Sequence, residues 1–386
     1  MIKRALPFLA LIAAACQAAP TVTPTAAASS GPAASSANAL TAAPTPAATL
    51  AAVPAGRILF QRTGGDGVEH YFTIKTDGTD EQAVFDAEGC GCAHWMADGL
   101  HVMTLGQTAR ETWSLATYLY DGTERVIVDN PIETLNLAAW PTTPDGQWIA
   151  FAAWDESKPA NTGLWVGSPD LTKLRQVLLL QEGMLAIEPF GISPNGSRIV
   201  FFAETGPEGG TSHAGDLYVV NADGTDLRKL NPPGPRPGFV DVPTIAMSPD
   251  GRSATFGVEN RVYVADLESG DVRAISNRGG YVWAVSWSPT GDWITYTRQY
   301  GTTSVVSLIH PDGTDDHEIS PNDPSDEAFS STWSPDGKFL LVSRRQAADV
   351  ESPYELWIMD LEGNYIGQVT REPSHYLFST WAPNPR

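Results

Sequence analysis

The sequence predicts an all-β fold, a seven-bladed β-propeller, on three observations. The stretch Trp333-Ser334-Pro335-Asp336-Gly337 returns in varied form six more times. The copies stand roughly 40 to 55 residues apart, the spacing of blade-sized repeats. The first repeat unit lacks an opening strand, and the last is an opening strand alone.

The returning stretches are Trp95-Met96-Ala97-Asp98-Gly99, then Trp140 to Gly146 with two residues inserted, Ile192-Ser193-Pro194-Asn195-Gly196 and Met247-Ser248-Pro249-Asp250-Gly251. Trp287-Ser288-Pro289-Thr290-Gly291, the Trp333 copy and Trp381-Ala382-Pro383-Asn384-Pro385 complete the set. In each, a large apolar residue ends a first strand and Pro stops further ladder hydrogen bonding. Asp-Gly or Asn-Gly then supplies the positive φ of a tight turn. A second strand follows at once, as in Phe339-Leu340-Leu341-Val342 or Ile199-Val200-Phe201-Phe202. A third comes after a variable loop, as in Leu217-Tyr218-Val219-Val220, and a polar turn leads to a fourth, Leu227-Arg228-Lys229-Leu230. Four short antiparallel strands make one blade. Residues 57–85 supply strands two to four of a blade and 376–386 supply strand one, so joining them gives seven complete blades over 57–386. Closure removes the sheet edges that invite aggregation.

The W-S-P-D-G hairpin, with later D-G-T turns at Asp77-Gly78-Thr79, Asp223-Gly224-Thr225 and Asp312-Gly313-Thr314, resembles the TolB-type propeller repeats. The resemblance covers essentially all of 57–386. It implies a binding platform or an accessory domain of a peptidase. The family's repeat residues are structural, so no catalytic residue carries over. The repeats here fill the whole domain, without the separate globular domain that TolB itself carries.

Residues 1–16 have the form of a lipoprotein-type signal peptide. Lys3 and Arg4 precede an apolar run, Ala5 to Ala15, too short for a permanent membrane span. Cys16 follows three alanines and is the expected lipidation site, although Ala13 stands where Leu is usual. The alternative is cleavage at the small residues, leaving Cys16 or a later residue free. Residues 17–56 carry no charge and no aromatic side chain and are mostly Ala, Pro, Thr, Ser and Gly. Such a segment cannot build a core and reads as a disordered tether.

Removing the signal leaves 22 basic residues against 45 acidic ones, a net charge of −23. That field argues against nucleic acid and against a surface lying on anionic lipid, so membrane contact is expected through the lipid anchor only. Cys90, Cys92 and His94 alternate, which puts them on one face of an extended strand near the propeller axis. Export permits a disulfide. Residues two apart along a strand are about 6.6 Å apart, at the limit of its geometry. Three ligands on one strand suit a tetrahedral metal poorly. A strained disulfide or a locally packed pair is the expectation, with no metal and no cofactor.

Phosphate-loop, His-Glu-x-x-His and Gly-x-Ser-x-Gly patterns do not occur in the sequence. The acidic run at 322–327 lacks the calcium-loop pattern. In an up-and-down blade, turns one-to-two and three-to-four share a rim, here the short Asp-Gly turns. The opposite rim carries longer connections at 154–162, 204–215, 231–242, 320–328 and 344–353. Loops on a rigid scaffold carry recognition, and aromatic and Arg side chains anchor interfaces. Trp154, His213, Tyr300, Arg344, Arg345, Tyr354 and His375 are therefore the ligand-binding candidates. The expected function is a membrane-tethered, extracytoplasmic scaffold for an envelope protein or glycan. The rivals are a hydrolase or lyase with its site in the central funnel, and an accessory propeller of a separate peptidase.

Overall fold

The computed structural model describes residues 53–63, 68–87, 93–107, 113–128, 132, 136–138, 141–155, 157–205, 214–232, 244–276, 278–301, 303–319, 326–346, 353–372 and 379–383. These residues form seven four-stranded antiparallel sheets, the seven blades. Six follow chain order. Blade 4, for example, runs Ala186–Ile192, Arg198–Glu204, Gly215–Asn221, Arg228–Lys229. Blade 1 joins the two ends of the chain, with Ser379–Trp381 as its inner strand beside Arg57–Thr63. The register Ile58↔Trp381, Leu59↔Thr380, Phe60↔Ser379 closes the ring.

The core is divided into layers between neighbouring blades. Successive strand residues point to opposite sheet faces. In blade 7, Phe339 and Leu341 pack with Ile58, Phe60 and Trp381 of blade 1. Leu340 and Val342 pack with Val306 and Leu308 of blade 6. Both faces are covered, which is why the second strands read as continuous apolar runs. Two of the repeat tryptophans add a directional link between blades. Trp95 Nε1 donates to the Thr380 carbonyl at 3.2 Å, and Trp333 Nε1 to the Ser286 carbonyl at 3.4 Å. Each acceptor directly precedes the equivalent tryptophan of the preceding blade.

The Ser-Pro-Asp-Gly turn needs each of its residue types. In blade 7 the Gly337 amide donates to the Ser334 carbonyl at 2.9 Å, and Gly337 takes φ +71°. The buried Ser334 hydroxyl donates to Asp336 Oδ1 at 2.7 Å and accepts the Phe339 amide at 3.0 Å. The same pair of bonds recurs at Ser193, Ser248 and Thr143. The turns from third to fourth strand use a different lock. Asp223 Oδ1 accepts both the hydroxyl and the amide of Thr225, at 2.6 and 2.9 Å. Asp77, Asp121 and Asp312 hold Thr79, Thr123 and Thr314 in the same way. These bonds, the threonine hydroxyl first, hold all four carboxyls below the usual aspartate range.

The opposite rim is less uniform than the sequence predicts. Two of its connections between second and third strands are tight: Ser253–Val258 turns into Arg261–Asp266, and Ile294–Tyr300 into Thr303–Ile309. The first is possible because Glu259 adopts φ +53°.

Candidate functional site

Four of the sequence candidates, Tyr300, Arg344, Arg345 and Tyr354, fall on blades 6 and 7 at the long-loop rim. Arg344 and Arg345 belong to the strand Phe339–Gln346 rather than to a loop, and Tyr300 ends the strand Ile294–Tyr300. Adjacent strand residues face opposite ways, so the two arginines separate. The Arg344 guanidinium lies over Tyr365 at 4.4 Å and Trp357 at 5.1 Å. Arg345 lies over Tyr354 at 4.7 Å and binds Glu327 through Nε at 2.5 Å. Glu327 stands directly opposite Arg345 in the register, on the neighbouring inner strand. Burial, with the Glu327 charge second, pushes the Tyr354 hydroxyl up to about 12, so it stays protonated and able to donate.

Two inner-strand aromatics that sequence reasoning missed extend this group. Phe329 meets Tyr354 edge-on with ring centroids 5.2 Å apart, and meets Trp283 of blade 6 at 5.1 Å. Trp283 and Phe329 stand four residues before Trp287 and Trp333, just ahead of a β-bulge in each strand. Glu188 holds the same place in blade 4, again just before a bulge. Counting back from the repeat tryptophan was the available signal, because a bulge re-aims the side chains beside it. Tyr281 and Tyr300 add exposed rings, 46% and 43% accessible. Tyr300 donates to Glu318 at 2.8 Å. Gly280, at φ +92°, lies under them, where a Cβ would meet Arg298 at 2.8 Å and Tyr300 at 2.9 Å.

The other candidates do not join this surface. Trp154 is only 7% accessible and packs between blades 2 and 3 with Met103, Leu105 and Trp165. Its position at a strand end suggested exposure, but the preceding blade covers it. His213, His375, Cys16, Cys90 and Cys92 lie outside the described residues. His94 sits in the inner strand Ala93–Trp95, where desolvation brings its imidazole down to about 4 and keeps it neutral. Among the described residues no group of three or more His, Cys, Asp or Glu is placed to hold a metal.

Blades 6 and 7 thus present a half-buried aromatic run flanked by an ion-paired arginine. Such a run stacks on flat or apolar groups, and the Trp283 indole N–H, without a hydrogen bond among the described residues, is a donor beside it.

A family model described as the TolB beta propeller domain matches residues 100–385. Among solved structures, puromycin hydrolase is similar over 83% of this chain and 53% of its own, at 14% identity and TM-score 0.56. A study of two prolyl endopeptidases includes a chain similar over 74% of this one and 43% of its own, at 15% identity and TM-score 0.52. TolB from Acinetobacter baumannii aligns over 86% of this chain and 84% of its own, at 15% identity and TM-score 0.46. At these identities the likeness concerns the fold. Among curated proteins, none matches this chain.

Proposed function

The chain belongs to the TolB beta-propeller family, and we propose that it is a membrane-tethered, extracytoplasmic binding scaffold. Its partner is a protein or glycan of the cell envelope, taken up on the long-loop rim of blades 6 and 7. The observation that carries the reading is the run Trp283–Phe329–Tyr354 with Arg345 against its end. Rings held in place by strands lose little entropy on binding, which makes them efficient anchors. The N-terminal segment supports the address: Lys3 and Arg4, the apolar run, Cys16, then an uncharged spacer over 17–56. A lipid on Cys16 with that spacer holds the propeller domain, 57–386, clear of the bilayer.

Two experiments test the two halves of the proposal. Cys16→Ala releases the protein from membranes, and a fatty-acid probe labels wild type but not the variant; equal labelling of both removes the anchor. An array of peptides and glycans probed with wild type and with Trp283→Ala tests recognition. Ligands lost by the variant while its melting temperature holds support the site. An unchanged binding profile contradicts it.

A further inference from the structure

A second site lies on the opposite rim. Between the short turns of blades 3, 4 and 5 is a groove of about 700 Å³, lined by Arg175, Arg198 and Arg252 among others. Several arginines elsewhere are engaged: Arg57 pairs with Asp80, Arg62 with Glu81, Arg228 with Asp226 and Arg345 with Glu327. Among the described residues the guanidinium groups of the groove have no hydrogen bond, ion pair or ring contact. They do act through space on nearby carboxylates: behind the hydrogen bonds to each carboxyl, Arg175 helps to lower Asp223, Arg252 Asp250 and Arg198 Asp266. Yet none of the three is held in a direct ion pair among the described residues.

Three acids share the groove, Asp223, Asp250 and Glu268, and the first two are already occupied in part. Asp223 Oδ1 holds Thr225, and Asp250 Oδ1 holds the Ser248 hydroxyl and the Arg252 amide. That leaves each with Oδ2 as an outward acceptor. Asn195 Oδ1 is likewise taken by Ser193 and Ser197, which leaves its amide N–H groups as donors. The turn amides of Gly196, Gly224 and Gly251 bond within their own turns, and that of Ala222 donates to the Ser197 carbonyl of the neighbouring turn. No backbone edge is open for an added peptide strand, and Ala222 is the only apolar side chain in the lining beyond glycine. A peptide would find neither a ladder nor an apolar pocket.

We infer that this groove binds an acidic sugar, a hexuronate unit of a glycan. Guanidinium groups take the carboxylate through paired N–H bonds. The free oxygens of Asp223 and Asp250 accept sugar hydroxyls, and the Asn195 amide donates to one. The groove is separate from the aromatic surface of blades 6 and 7 and stands whether or not that surface binds a partner.

The test is titration calorimetry of the full chain with a hexuronate trisaccharide, its neutral hexose counterpart and inorganic phosphate. Arg175 and Arg252 are exposed, so Arg175→Gln and Arg252→Gln leave the fold intact, checked by melting temperature. The expected result is saturable uronate binding that weakens with salt and is at least about ten-fold weaker in the double variant. The neutral sugar does not bind, and Tyr354→Ala leaves uronate binding unchanged. Absence of uronate binding, equal affinity for the neutral sugar, or phosphate binding as tightly as the uronate would each overturn the assignment.

Discussion

The two rims of the ring handle their polar groups in opposite ways. On the short-turn rim, each turn satisfies its own donors and acceptors, with Ser334 serving Asp336 and the Phe339 amide, and Asp223 serving Thr225. On the long-loop rim, Glu188 Oε2 and Trp283 Nε1 are buried without a hydrogen bond among the described residues, as are the Trp287 and Trp381 indole N–H groups beside the short turns. The carboxyl groups record the difference. Asp223 and Asp312 are held below the usual range by hydrogen bonds, whereas burial, with the Glu204 charge second, raises Glu188 to about 8. Glu188 stands opposite Phe202 and Glu204 opposite Ala186, so the two acids share one sheet face. The short turns fix the blade through their own hydrogen bonds; the opposite rim carries the rings of the candidate site and the raised Glu188.

The comparison breaks most severely if the ring does not depend on its closing strand. Truncation after residue 378 removes Ser379–Trp381 from blade 1 and bares two sheet edges. Cooperative unfolding is expected to be lost, as read by calorimetry, and a truncated chain melting like wild type refutes the closure. The milder Trp381→Ala empties part of the layer between blades 7 and 1 and costs about 3–5 kcal/mol in denaturant titration.

Glu188 sharpens the contrast through pH. Its folded pKa lies above its unfolded value, so its contribution to stability is complete below the unfolded value of 4.5 and is lost as pH rises through about 8. Glu188→Gln is therefore expected to stabilise the protein on the order of a few kcal/mol at pH 8 and to change little at pH 4. Urea midpoints at both pH values decide this, and a gain of equal size at both removes the ionisation argument. The turn aspartates run the other way, since their depressed pKa values give stability that is present above the unfolded value and lost as acid protonates them.

Smaller effects complete the order. Ser334→Ala leaves the Phe339 amide and Asp336 short of a partner and costs about 1–3 kcal/mol. Tyr300→Ala, at an exposed ring on the opposite rim, changes stability by no more than about 0.5 kcal/mol. Reversal of these last two magnitudes would mean that the rims have been assigned the wrong roles.

The ring was legible in the sequence because its determinants are local. Pro, Asp and Gly at fixed offsets dictate a turn wherever they occur, and seven copies with split ends dictate closure. The site was legible only in part. Tyr300, Arg345 and Tyr354 were selected by residue type and rim, but the burial of Trp154 was missed because the blade that covers it is remote in sequence. Trp283 and Phe329 went unnoticed because they belong to strands that read as core, and no residue type announces the bulge that follows each of them. The groove of the short-turn rim was hidden for a related reason. Arg175, Arg198 and Arg252 come from three blades and meet only when the ring forms.

The most direct test of the binding account is capture of envelope components by immobilised protein, quantified by mass spectrometry against paired variants. The account predicts that Arg345→Ala with Tyr354→Ala abolishes the specific partner while the melting curve stays cooperative. Asp121→Ala with Asp312→Ala, on the short-turn rim, is expected to retain it. Retention by the first pair and loss by the second, in folded protein, would contradict the account and move recognition to the other face.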